Sequence, residues 1–221
     1  MMNERLFAIG DIHGCFDSFQ KLVENKIGIR KNDQLVLLGD YIDRGTKSKE
    51  VVDYILELLR MNFNVIPLMG NHEAMLLDAL ENNRHLSIWF LNGGSETLKS
   101  FGISSLKELS PLYIRFFKGL RHFYSFKNYL FVHAGFNDEI NNPFEDQYQM
   151  LWSRRERYTN PVLKDKTIIH GHTPVPLAYC RKIVKANHPV INIDTGCVYA
   201  DEVGYGQLTA IELYSMELIS V

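Results

Sequence analysis

The chain has 221 residues, 46% apolar and 23% charged, with a formal net charge of −2. That length carries one well-cored domain and is short for two, so a single domain over 1–221 is expected. The small net charge excludes bulk attraction to nucleic acid or anionic lipid, and no apolar run suits a membrane span or a signal peptide.

The first third alternates in period. "RLFAI" reads as a buried strand, and "FDSFQKLVENKIG" has helical spacing with Phe16, Phe19, Leu22 and Val23 on one face. "QLVLLG" is a second strand, "KSKEVVDYILELLRMNF" an amphipathic helix and "NVIPLMG" a third strand. This β-α-β-α-β order implies a parallel or mixed sheet. From about His72 to Leu120 the chain is mostly helical, interrupted at "NGG" (92–94) and by Pro111. Beyond that it turns strand-rich. A hairpin is expected around Lys127-Asn128, followed by "KTIIHG", "PVINIDTG", "QLTAIEL" and "MELISV". Two sheets packed face to face with helices outside satisfy this order. The three cysteines, Cys15, Cys180 and Cys197, lack any Cys-x-x-Cys spacing, so a disulfide framework or zinc ribbon is not expected and a reducing, cytoplasmic setting is.

The first three strands each end in a polar cluster opened by glycine: "GDIHG" (10–14), "GDYIDRG" (39–45) and "GNHE" (70–73). Later come "HAG" (133–135) and "HGHTP" (170–174). Parallel strands carry their C-terminal ends to one sheet edge, where α/β folds place ligands. The side chains on offer there are carboxylate, amide and imidazole, without thiolate. That donor set suits manganese, iron or zinc better than calcium or magnesium. Asp11 and His13, two apart in an extended segment, face the same way and can share one ion. Asp40 has two oxygens and can bridge two.

These five fragments, in this order, resemble the signature of the metallo-dependent phosphoprotein phosphatases. "LNGG" (91–94), "LWSRRER" (151–157) and the short chain are most similar to the phage lambda type and its small bacterial relatives. Diadenosine tetraphosphate hydrolases share the core motifs. The resemblance implies a four-layer α/β/β/α sandwich of the calcineurin-like metallophosphoesterase type and two divalent transition-metal ions, manganese first, with iron or zinc as alternatives. It implies that Asp11 and His13 hold one metal, that Asp40 bridges, and that Asn71, His133 and His172 hold the second. It makes His72 the general acid oriented by Asp43, and Arg44 and Arg154 the phosphate-binding residues. The implied activity is hydrolysis of phosphate monoesters, foremost phosphoserine and phosphothreonine in proteins, by direct attack of a metal-bridging hydroxide. Hydrolysis of diadenosine tetraphosphate or another nucleotide is the alternative, and a metal-dependent binding module without catalysis a third. The expected partner is a phosphoprotein or small phosphoester, with no nucleic acid and no membrane. Oligomeric state stays open.

One residue departs from the family pattern. Many members carry Arg before Gly-Asn-His-Glu, where this chain has Met69, so one phosphate clamp is absent or supplied from elsewhere, with Arg155 a candidate. Other residues invite functional readings that simpler ones outweigh. His170 is expected to be a core or supporting histidine, Glu73 to sit favourably at a helix start, and Cys15 to be a small buried thiol. "RKIVK" (181–185) is expected to be a solvated strand edge, and Phe116, Phe117, Phe123 and Tyr124 to be packing residues.

Overall fold

Strands β1 (Leu6–Ile9) and β2 (Gln34–Leu37) are buried along their whole length, as unbroken apolar runs covered on both faces must be. They pair in parallel, and β3 (Asn64–Pro67) adds in parallel to β2. The computed structural model describes residues 4–221; residues 1–3 of the domain expected over 1–221 lie outside the described residues. The last two strands, β8 (Thr209–Glu212) and β9 (Glu217–Ser220), return antiparallel to complete a five-stranded sheet of order β3-β2-β1-β8-β9. The second sheet has order β4-β5-β6-β7, built from the hairpin β4 (Phe123–Phe126) and β5 (Tyr129–Val132), then β6 (Thr167–His170) and β7 (Val190–Asn192) in parallel. Lys127 takes the positive φ of 54° that the expected hairpin turn needs.

Alternation along the strands sorts the core into layers. Ile66, Val36, Ala8 and Ile211 form one cross-strand row, and Phe131, Ile169 and Ile191 another. The two rows belong to one buried cluster between the sheets. The opposite residues of the first sheet, Phe7, Ile9, Leu35 and Leu37, pack under helices α1 (Phe16–Gln20) and α2 (Ser48–Arg60). The outer face of the second sheet, through Leu130, Val132 and Ile168, meets Phe136, Leu163 and Met150 of the short helix α7 (Gln147–Trp152). The sandwich is therefore α/β/β/α as expected, with an outer layer on that side that is largely irregular.

The middle of the chain is helical: α3 (Asn71–Glu81), α4 (Leu86–Leu91), α5 (Gly94–Phe101) and α6 (Pro111–Lys118). Pro111 opens α6 behind a Ser110 cap rather than interrupting a helix, because its missing N–H costs nothing at a first turn. The strand edge expected at 181–185 is instead the end of helix α8 (Leu177–Lys185). Pro176 precedes its first turn, and Cys180 and Val184, four apart, both turn inward. Phe116 and Phe117 pack on each other, and Phe123 and Tyr124 on Phe136 and Phe131, so these rings serve packing. Among the described residues no helix is long and apolar enough to cross a membrane.

At the C-terminal end of β2 the chain must pass close to that of β3. Gly39 has φ +102°, and a Cβ there would lie 2.6 Å from the Gly70 nitrogen. Replacing Gly39 by Ala should therefore cost at least about 1–2 kcal/mol for the left-handed backbone alone, with the backbone clash added. The check is the urea unfolding midpoint of Gly39→Ala; an unchanged midpoint would refute the close-crossing account.

Candidate metal centre

Asp11 and His13 follow β1, Asp40 follows β2, and Asn71 opens α3 directly after β3. His133 follows β5, and His172 lies two residues beyond β6. The second sheet reaches the first through these loops. The backbone N–H of His172 donates to both Asp11 carboxylate oxygens at 3.2 and 3.0 Å. Asn71 Oδ1 lies 2.8 Å from His133 Nε2 and 3.0 Å from His172 Nδ1. Among the described residues, the donor atoms of Asp11, Asp40 and His133 fall within 4.8 Å of one another, as do those of His13, Asp40 and His72. Asp40 belongs to both sets.

The protons decide what this cluster can hold. His13 Nδ1 lies 2.9 Å from the Ile42 carbonyl and His133 Nδ1 2.9 Å from the Leu38 carbonyl. A carbonyl only accepts, so both Nδ1 atoms donate, and each Nε2 carries a lone pair in the neutral ring. Both lone pairs face Asp40 Oδ2 at 3.5 Å. Acceptor faces acceptor, an arrangement that a cation between them satisfies. The Arg44 guanidinium reaches into this region, with Nη1 2.7 Å from His13 Nε2, so positive charge is already drawn there. The donor set fits a pair of divalent cations.

Burial sets the protonation states. It pushes His13 and His172 down to about 3 and lowers His133, which keeps these imidazoles neutral and able to ligate. Burial also opposes ionisation of Asp40, but His133, His72 and His13 outweigh it and hold the carboxyl well below its usual range. Burial, then the charges of Asp194 and Asp40, raise Asp11 well above it.

His72 stands beside the cluster with its two nitrogens divided. Nδ1 is 2.7 Å from Asp43 Oδ2, and Nε2 is 3.9 Å from Asp40 Oδ2. Arg44, Arg154, Asn71, His72, His172 and Tyr199 line a cavity of about 220 Å³ over these donors. Arg155 is not there; it pairs with Glu139 at 3.0 Å and Asp138 at 3.6 Å. Met69 is buried, and its backbone N–H bonds to the Arg121 carbonyl. His170 is also buried, with Nδ1 at the Gly171 carbonyl, outside the donor cluster. Cys15 is half-buried, with Sγ 3.7 Å from the His13 carbonyl.

Five of the residues named here, His13, Asp40, Asp43, Arg44 and His172, have positive φ, among nine non-glycine residues that do so in the described part of the chain. Such backbone costs energy and persists where the surroundings impose it, as at functional sites. Glu73 is one source of that constraint. It does begin a helix, as expected, but its buried carboxylate also accepts backbone N–H bonds from Asp40, Tyr41 and Gly70 at 2.8–3.0 Å. This ties the loop after β2 to the loop after β3. Asp194, after β7, is a second buried carboxylate that sequence reasoning passed over, although "DTG" at a strand end repeats the pattern of the other clusters.

The family model of calcineurin-like phosphoesterases matches residues 4–200. The asymmetrical bis(5'-nucleosyl)-tetraphosphatase PrpE of Anoxybacillus flavithermus is 29% identical, covering 96% of this chain and 92% of its own. Serine/threonine-protein phosphatase 1 of Salmonella typhimurium is 32% identical, covering 92% of this chain and 89% of its own. Among solved structures, a protein serine/threonine phosphatase from Saccharomyces cerevisiae is similar in fold, with a TM-score of 0.66 at 18% identity over 99% of this chain and 79% of that one.

Burial holds Asp194 up at about 7 and Glu73 at about 8. Between the ordinary carboxylate range and those values, the folded chain binds more protons than the unfolded one. Without bound cations, stability from these groups is therefore present at low pH and is lost as pH rises through about 7 to 8. Divalent cations offset this excess negative charge. The rise in thermal midpoint on adding manganese should be larger near pH 8 than near pH 5.5; equal rises would count against the account.

Proposed function

Because the chain belongs to the calcineurin-like phosphoesterase family, we propose that it is a dinuclear-metal phosphatase acting on phosphate monoesters, with phosphoserine and phosphothreonine in proteins as substrates. Asp11 and His13 would hold one ion and Asn71, His133 and His172 the other, with Asp40 shared between the two. The position of Asp40 in both donor groups, one with His13 and His72 and the other with Asp11 and His133, supports its shared role; the division of the other ligands rests on the family resemblance. Manganese suits the mixed oxygen and imidazole set. When bound, the two cations supply the charge that activates water near neutral pH and polarises the phosphoryl group.

The chain's own residues do the rest. Arg44 and Arg154 grip phosphoryl oxygens, since a guanidinium can bond two at once. His72 faces the cluster through Nε2 and donates its proton there to the leaving oxygen as the P–O bond breaks. Asp43 keeps hold of Nδ1 throughout.

The observation that carries the substrate class is the cavity itself: about 220 Å³, with Arg44 and Arg154 at its wall. That suits one terminal phosphate better than a chain of four. Arg155 is engaged by Glu139 and Asp138, and Met69 stands where a further guanidinium would. The likeness to the PrpE tetraphosphatase, over nearly the whole of both chains, favours diadenosine tetraphosphate as the second reading. A binding module without turnover is disfavoured by the paired His72 and Asp43 beside the donors.

With matched manganese, a phosphoserine peptide should show a higher kcat/KM than diadenosine tetraphosphate, and exhaustive chelation should abolish both activities. The reverse order would move the protein to the nucleotide class. No metal-dependent turnover of any phosphoester would leave the binding module. Separately, Arg154→Ala should weaken inhibition by inorganic phosphate on the order of 10-fold, with metal content intact, while Arg155→Ala should not. A silent Arg154→Ala would reassign the clamp.

A further inference from the structure

We propose that Trp89 and Thr97 are positioning residues for proton donation, holding Asp43 so that His72 presents its Nε2 to the leaving group. The proposal rests on the reading of His72 as the proton donor.

Asp43 is fully buried, with φ +69°, and its carboxylate is surrounded by donors. Trp89 Nε1 donates to Oδ2 at 2.9 Å and lies 3.1 Å from Oδ1. Thr97 Oγ1 donates to Oδ1 at 2.6 Å and accepts the Asp43 backbone N–H at 2.8 Å. His72 Nδ1 completes the set at 2.7 Å from Oδ2. An indole N–H can only donate, and the Thr97 proton is directed at Oδ1, so the carboxylate is an acceptor on every side. His72 Nδ1 must therefore be the donor in its pair with Asp43. That fixes the ring plane and leaves Nε2 as the nitrogen facing the metal donors, 3.9 Å from Asp40 Oδ2.

The same helical pair delivers both residues, Trp89 from α4 and Thr97 from α5. The "NGG" turn between them makes the arrangement possible. Gly93 takes φ +100°, and its carbonyl accepts the Arg44 N–H at 3.3 Å. Gly94 lies so close over the Trp89 indole that a Cβ would overlap the ring. The motif thus seats the indole that reaches Asp43 and braces the neighbouring Arg44 from the other side.

The test is leaving-group dependence, which packing alone would not change. Trp89→Phe keeps a ring and removes the N–H; Thr97→Val keeps the shape and removes the hydroxyl. Each is assayed on 2-glycerol phosphate, whose alkoxide needs a proton, and on 4-nitrophenyl phosphate, whose phenolate does not. We expect kcat on the alkyl ester to fall on the order of 10-fold, with the loss on the nitrophenyl ester under about 2-fold and KM unchanged on both. Thr97→Ser should restore most of the alkyl activity, which keeps the test open if Trp89→Phe does not fold. Equal losses on both esters, or none, overturn the proposal. His72→Asn serves as the reference. If it loses alkyl activity selectively and the other variants do not, the positioning role alone fails. If His72→Asn itself shows equal losses, the proton-donor assignment fails, and this proposal with it.

Discussion

Two imidazole lone pairs aimed at one buried carboxylate oxygen are not satisfied by the rings' own protons, which already go to backbone carbonyls, and one of them draws in the Arg44 guanidinium instead. This mismatch at Asp40 governs the architecture around it. The glycines at the strand ends let the backbones come close, and the left-handed residues aim the side chains. The buried carboxyl groups of Asp11, Asp194 and Glu73 lie about the same point, where burial disfavours their ionisation. Each of these features costs stability in isolation. Together they make a region whose electrostatic demand bound divalent cations would meet.

Much of this was legible in the chain. Strand ends with glycine, aspartate and histidine are local patterns, and the rule that parallel strands share one edge converts them into a three-dimensional cluster. The buried runs of β1 and β2, the amphipathic spacing of α2 and the hairpin at Lys127 are local patterns too. What escaped depends on contacts between distant segments. Nothing near Glu73 in the sequence says that its carboxylate gathers backbone N–H groups from residues 40 and 41. Nothing near Trp89 says that its indole finds Asp43, 46 residues away. Helix α8 departs from the expected strand edge for a different reason: a short mix of basic and β-branched residues fits either period, and the cue lies upstream, in Pro176 and the Cys180–Val184 spacing.

The choice between Arg154 and Arg155 shows the division in miniature. Sequence places both in one segment and cannot separate them. The fold sends one side chain to the cavity wall and the other to two carboxylates on a neighbouring loop.

The donor cluster is drawn from both sheets: Asp11, His13, Asp40 and Asn71 stand on the first, His133 and His172 on the second. The apolar rows between the sheets set their spacing, yet dispersion contacts are soft with respect to small sliding displacements. Coordination is not, since ligand distances are fixed within a few tenths of an ångström. Bound ions would therefore pin the register of one sheet against the other, acting as a rivet across the seam. The N-terminal β-α-β unit can form its share of the cluster from neighbours in sequence, whereas His133 and His172 arrive only when the later sheet docks. Tight metal binding then becomes a property of the assembled sandwich, and a late event in its formation.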